Sequence, residues 1–382
     1  MTVRVPVAPS VLNWALAVSS TPAEVVRERL KVDDWINGRR RPTANQLRQF
    51  ASATGVPFGY LLLENPPEWT LPVPDFREGF AGERETPSAN LLAVIGQSLR
   101  RQAWYRDYAE YHGLPPVDVV GSAGAQSPRE VAASLRRHLN FEVSDRRGSW
   151  NDTRKSLLRG FEDIGGLTVA TSMVGNNTTR LLDPDEFRGF ALSDELAPLI
   201  FVNTVQTLNG QIFTIAHELA HIWKGQSGIS NEDPRYAAQS EIERWCNAVA
   251  SEVLVPQDDL ARRYEAVRDL ELTDQLERLA NVYKCGTLVV LHAVRRGGLR
   301  QFEDFDTAYD AELRRLMELQ QDRPSSGGDH YRNQPFRVGE RLSRALIADS
   351  FEGRTSLSEA MSLMSVKSLS TFEEYARRLG AA

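Results

Sequence analysis

The chain has 382 residues, 41% of them hydrophobic and 25% charged, with two cysteines and a formal net charge of −6. That length exceeds one ordinary compact core, and the composition excludes wholesale disorder. The apolar run from Gly286 to Val294 is about half the length of a spanning helix, and Cys246 and Cys285 make no disulfide framework, so the expectation is a cytoplasmic protein in a reducing compartment. The broken apolar run at the N-terminus reads as a helix rather than a signal peptide. Charge is uneven: residues 1–65 hold eight Lys/Arg against five acids, a basic front on an acidic body.

In chain order, Pro9 to Val18 has apolar residues at helical spacing. Thr21-Pro22 opens a short helix to about Leu30, and Gly38 ends the next stretch. Thr43 begins another helix, with Leu47, Phe50 and Ala51 on one face. Pro66, Pro67, Pro72 and Pro74 make a stiff connector, followed by a long helix from about Ser88 to His112. After a Gly/Pro/Ser-rich boundary at 113–128, helices are expected to about Leu139 and over 150–164. Short β-like runs follow at Leu167 to Thr171, Phe187 to Leu192 and Leu199 to Val202. Helix, loop and helix occupy 211–256, a helix pair 273–296, and a loop Pro324 to Asp329. The end of the chain is helical. The divisions drawn are 1–66, 67–127, 128–260, 261–323 and 324–382. The fold class is α+β, mostly helical, with a small sheet.

The chemistry concentrates in Gln211 to Lys224, which contains His217-Glu218-Leu-Ala-His221. In a helix, positions i and i+4 share a face, so both imidazoles can reach one metal ion. Glu218 then stands where a general base can take a proton from water. A chance His-acid-x-x-His is expected roughly 0.01 times in such a chain. Phe213, Ala216, Leu219, Ala220, Ile222 and Trp223 surround the pair, and a helix apolar on most sides is buried. Catalytic zinc takes three protein ligands. Glu243, in the helical stretch Ser240 to Pro256, can supply the third, with Asn247 one turn on able to hydrogen-bond a histidine. Cys246 next to it is read as a small buried hydrophobe, with a redox-sensing ligand as the other reading.

These motifs resemble the ImmA/IrrE family of zinc metallopeptidases. In that family a Phe-Thr-x-x-His-Glu-x-x-His helix precedes a Glu-x-x-Ala-Asn helix. Here Phe213-Thr214 leads into the His-Glu pair and Cys246 stands at the alanine. Pro198 to Asn203 is similar to the preceding strand, and Pro74-Asp-Phe-Arg77 to a connector of some members. The resemblance implies a zincin-like, gluzincin-type core, zinc on His217, His221 and Glu243, and Glu218 as catalytic base. Tyr236, Tyr283 and His292 are unranked candidates for stabilising the oxyanion.

Residues 9–63 resemble the phage-repressor (XRE-type) helix-turn-helix domain through Trp35-Ile-Asn-Gly38, Pro42-Thr43 and Gly55-Val-Pro57. Only Lys31 to Asp34 remains where the recognition helix should lie, too short to present several side chains to a major groove. Arg39, Arg40 and Arg41 are candidates for phosphate or partner contact. Residues 276–297 also have a helix-turn-helix-like pattern, read as a packed helix pair, with His292 a core histidine.

The expected function is a zinc endopeptidase that cleaves a regulatory protein, a repressor or antitoxin-like partner, in transcriptional or stress control. Two other readings stand beside it: a non-proteolytic DNA- or protein-binding regulator with a structural zinc, and a toxin–antitoxin component.

Overall fold

The computed structural model describes residues 4–77, 86–231, 240–321 and 337–380. The expected loop Pro324 to Asp329 and Tyr236 lie outside them. By internal contacts the chain divides into two units, one of residues 1–74, 80–99 and 172–183, the other comprising the rest.

The first unit gathers α1 (Pro9–Ala17), α2 (Ala23–Leu30), α3 (Val32–Ile36) and α4 (Ala44–Thr54) around Val11, Leu12, Val26, Val32, Trp35, Leu47 and Phe50. Thr43 starts α4 with a capping box. Its hydroxyl accepts the Gln46 N–H, and the Gln46 side chain accepts the Thr43 N–H. Lys31 in the left-handed conformation separates α2 from α3. The latter is barely more than one turn and turns Val32 and Trp35 inward. Arg39, Arg40 and Arg41 are exposed, and Arg39 lies 3.8 Å from Asp34.

The helix α5 (Ala89–Tyr111) follows, its residues to Leu99 counted with the first unit. The second unit adds α6 (Pro128–His138), α7 (Trp150–Asp163) and strands β1 (Leu167–Thr171), β2 (Gly189–Leu192) and β3 (Leu199–Asn203). Then come α8 (Leu208–Lys224), β4 (Gly228–Ser230), α9 (Glu241–Leu254), α10 (Gln257–Tyr264), α11 (Leu272–Tyr283), α12 (Thr287–Arg296) and α13 (Phe305–Gln321). Helices Glu340–Phe351, Leu357–Leu363 and Leu369–Arg378 close the described chain. Among the described residues, no helix is long and apolar enough to cross a membrane.

The strand order is β1-β3-β2-β4, with β1 parallel to β3 and β2 antiparallel to both its neighbours. These strands are buried throughout, as expected of a sheet covered on both faces. The second strand begins at Gly189 rather than Phe187: Arg188 makes the first backbone bonds, to Ser230 and Asn203, and the Phe187 carbonyl accepts from the Asn203 side-chain amide instead of a backbone N–H.

Helix α8 packs on this sheet. Thr207 caps its start and Gly225, with φ +73°, ends it in the left-handed region that favours glycine. Ile212, Ile215, Leu219 and Trp223 are buried, each worth about 1.5–3 kcal/mol relative to exposure. Helix α9 crosses beside it. Its C-terminal carbonyls, at Val253 and Leu254, accept hydrogen bonds from the buried guanidinium of Arg146, which burial lowers to about 10. That anchor fixes the end of the helix carrying Glu243 and Asn247.

Candidate metal centre

The first turns of α9 face the middle of α8 and bring His217, His221 and Glu243 together. The Nε2 atoms of His217 and His221 are 3.1 Å apart. Glu243 places one carboxylate oxygen 3.1 Å from His217 Nε2 and the other 3.0 Å from His221 Nε2. All three side chains are buried. A tetrahedral zinc ion with bonds of about 2.0–2.1 Å holds its ligand atoms about 3.3 Å apart. Opening these contacts by a few tenths of an ångström therefore admits such an ion, and the donor set of two imidazoles and a carboxylate suits it.

The electrostatics favour the ligating forms. Burial lowers the pKa of His221 and the neighbouring His217 adds to the effect, outweighing Glu243, so the imidazole is neutral. Burial alone would raise the Glu243 carboxyl, but the two imidazoles beside it bring it down to about 2, so it is a carboxylate. The His217 Nδ1 meets Asn247 Oδ1 at 3.0 Å; with the amide oxygen accepting, its proton sits on Nδ1 and the Nε2 lone pair faces the centre.

Four further features surround these residues, of which the sequence marks Cys246, by its two readings, and Phe76, within the Pro-Asp-Phe-Arg connector. Cys246, buried, puts its thiol with the two imidazoles in one cluster whose ligating atoms lie within 4.8 Å of each other. The Ser230 hydroxyl approaches His221 Nε2 at 3.4 Å. The Phe76 ring stacks on the His221 imidazole, with centroids 5.8 Å apart and planes 10° apart. Phe76 also donates its N–H to the Ile229 carbonyl, so the connector runs along the edge of β4. Finally, Gly189 lies beneath the Glu218 carboxylate, where a Cβ would come 2.6 Å from Glu218 Oε1.

Glu218 is fully buried and one residue along α8 from His217, with its carboxylate against Gly189 of β2. Of the other candidates, Tyr283 is buried and donates to Asp259, away from the centre, and burial raises its pKa. His292, read as a core histidine, is half-buried against the rings of Phe305 and Tyr309 and lines a cleft that also includes Asn247.

Residues 162–295 match the family model Peptidase_M78, described as the IrrE N-terminal-like domain. Residues 338–378 match a domain of unknown function (DUF8813). No curated protein matches the chain at a significant level. The first match spans His217, Glu218, His221, Glu243, Cys246 and Asn247, and it supports a peptidase related to ImmA/IrrE.

Proposed function

We propose that the chain is a zinc-dependent endopeptidase whose substrate is a regulatory protein, a repressor or antitoxin-like partner. The convergence of His217, His221 and Glu243 inside the segment matching a peptidase family carries this reading. Zinc bound by those residues supplies Lewis-acid polarisation of the scissile carbonyl and makes water more acidic. Glu218 takes the proton of the attacking water and hands it to the leaving amine nitrogen. Gly189 leaves room for that carboxylate, and Asn247 keeps the His217 lone pair aimed inward. The regulatory substrate follows from the resemblance to ImmA/IrrE proteins and from the repressor-like pattern of residues 9–63.

The test is co-incubation of zinc-loaded protein with the repressor-type proteins encoded beside its gene, followed by intact-mass analysis. The wild type cuts one of them at a defined bond, while Glu218→Gln retains zinc and cuts none. Turnover retained by Glu218→Gln contradicts the base role. Zinc-loaded wild type that cuts none yet binds operator DNA in a salt-dependent way favours the non-proteolytic regulator.

A further inference from the structure

A cleft of about 1460 Å³ opens in the second unit beside Thr214 and Asn247, next to the candidate metal centre. That exceeds the about 300–1,000 Å³ typical of small-molecule sites and suits a polypeptide. Its far wall is α13, contributing Tyr309, Leu313, Leu316 and Met317, a helix beyond the matched span 162–295. The cleft has an uneven charge. Arg188, Arg244, Arg295 and Arg296 line it, while Asp185 is the one acidic residue among its described lining residues.

We propose that this cleft takes an acidic, amphipathic segment of the substrate protein. The inference rests on the peptidase reading and adds the substrate class. Arg188 carries it furthest: its Nε is buried with no hydrogen-bond acceptor among the described residues. A buried donor calls for a partner, and a carboxylate is the strongest match for a guanidinium. Arg295 places its guanidinium carbon over the Phe305 ring, 4.1 Å from the centroid, which holds its charge at the cleft. Arg296 is balanced by Glu252 at 3.1 Å, so it adds little. The apolar half of the occupant meets the exposed Val205, Met317 and Leu319. This mix of apolar wall, a few cations and Asp185 fits a peptide better than the dense phosphates of a nucleic acid.

The test reads binding on the zinc-loaded Glu218→Gln protein, so hydrolysis plays no part. Fluorescence anisotropy compares a labelled peptide of alternating Leu and Glu, the same peptide with Lys in place of Glu, and a single-stranded DNA oligonucleotide. The Glu peptide binds at least about tenfold more tightly than the Lys peptide. Arg188→Glu and, separately, Arg295→Glu weaken it about tenfold with zinc content unchanged. Arg295 is exposed, so its variant keeps the test valid should Arg188→Glu misfold. Equal or tighter binding of the Lys peptide, indifference to Arg295→Glu, or preferential binding of the DNA overturns the proposal. A wild type that binds the Glu peptide in this pattern but hydrolyses no protein contradicts the peptidase reading alone.

Discussion

The carboxylate of Glu218 rests on the bare backbone of Gly189. A Cβ at position 189 would come 2.6 Å from Glu218 Oε1, 2.6 Å from Thr214 Cγ2 and 2.9 Å from the Phe201 carbonyl oxygen. One methyl group thus collides with the proposed base, with the helix that carries it and with the neighbouring strand. Gly189→Ala is expected to keep its zinc, because His217, His221 and Glu243 lie off that contact, and to lose turnover by about tenfold or more. Metal analysis beside a cleavage assay on the same preparation checks this. Unchanged turnover would mean that Glu218 tolerates displacement and is not the base.

Asn247 meets the metal centre through the imidazole of His217. Asn247→Ala is expected to weaken zinc binding by about 10–100-fold, the usual cost of losing the partner that orients a metal-bound histidine. Competition against a chelator of known affinity measures it.

The thiol of Cys246 shares the cluster with the two histidines, yet Glu243 makes the 3.0–3.1 Å contacts. Cys246→Ala therefore retains about one zinc per chain and Glu243→Ala does not. Loss of zinc from Cys246→Ala would make the thiol a ligand and reopen the redox reading.

Glu162 ties the helix Glu340–Phe351 to β1: it accepts from the Thr168 hydroxyl and from the Glu340 and Arg341 N–H groups. Burial pushes its carboxyl up to about 7 against those hydrogen bonds. A folded pKa above the unfolded value favours the protonated carboxyl in the fold. That contribution is complete below the ordinary value near 4.5 and is lost as pH rises through 7. The window is worth about 3 kcal/mol at most. Glu162→Gln is expected to flatten the decline in stability between about pH 5 and pH 8. Urea unfolding of both proteins across that range reads the difference.

The parts of the fold legible in the sequence were those set by local pattern. Helix α8 carries its apolar residues and its His-x-x-x-His spacing within one segment, and β1 is an apolar run just after Gly165-Gly166. Thr43 announces α4 through a cap made three residues away. Strand β4 escaped because three residues are too few to show alternation, and it exists through pairing with β2. Helix α10 has no sequence signal of its own, and α13 lies inside the stretch 261–323 read as helical, without bounds of its own. The former, Gln257–Tyr264, is charged and short, and only its packed residues Leu260 and Tyr264 mark an inward face. His217, His221 and Glu243, which the structure brings together, stand out in the sequence because their spacing is local to two helices. Gly189 meets Glu218 and Phe76 meets His221 across long sequence separations: the Pro74–Arg77 pattern marks Phe76 without placing it, and nothing beside Gly189 signals its approach.

A three-ligand zinc site on α8 and α9 underlies the proposed chemistry. Zinc per chain, measured by elemental mass spectrometry on wild type, His217→Ala and Glu243→Ala purified without chelator, tests it most directly. About one zinc per chain is expected in wild type, and its loss in both variants. A wild type that takes up no zinc when the metal is supplied, or a Glu243→Ala variant that keeps it, would contradict the assignment.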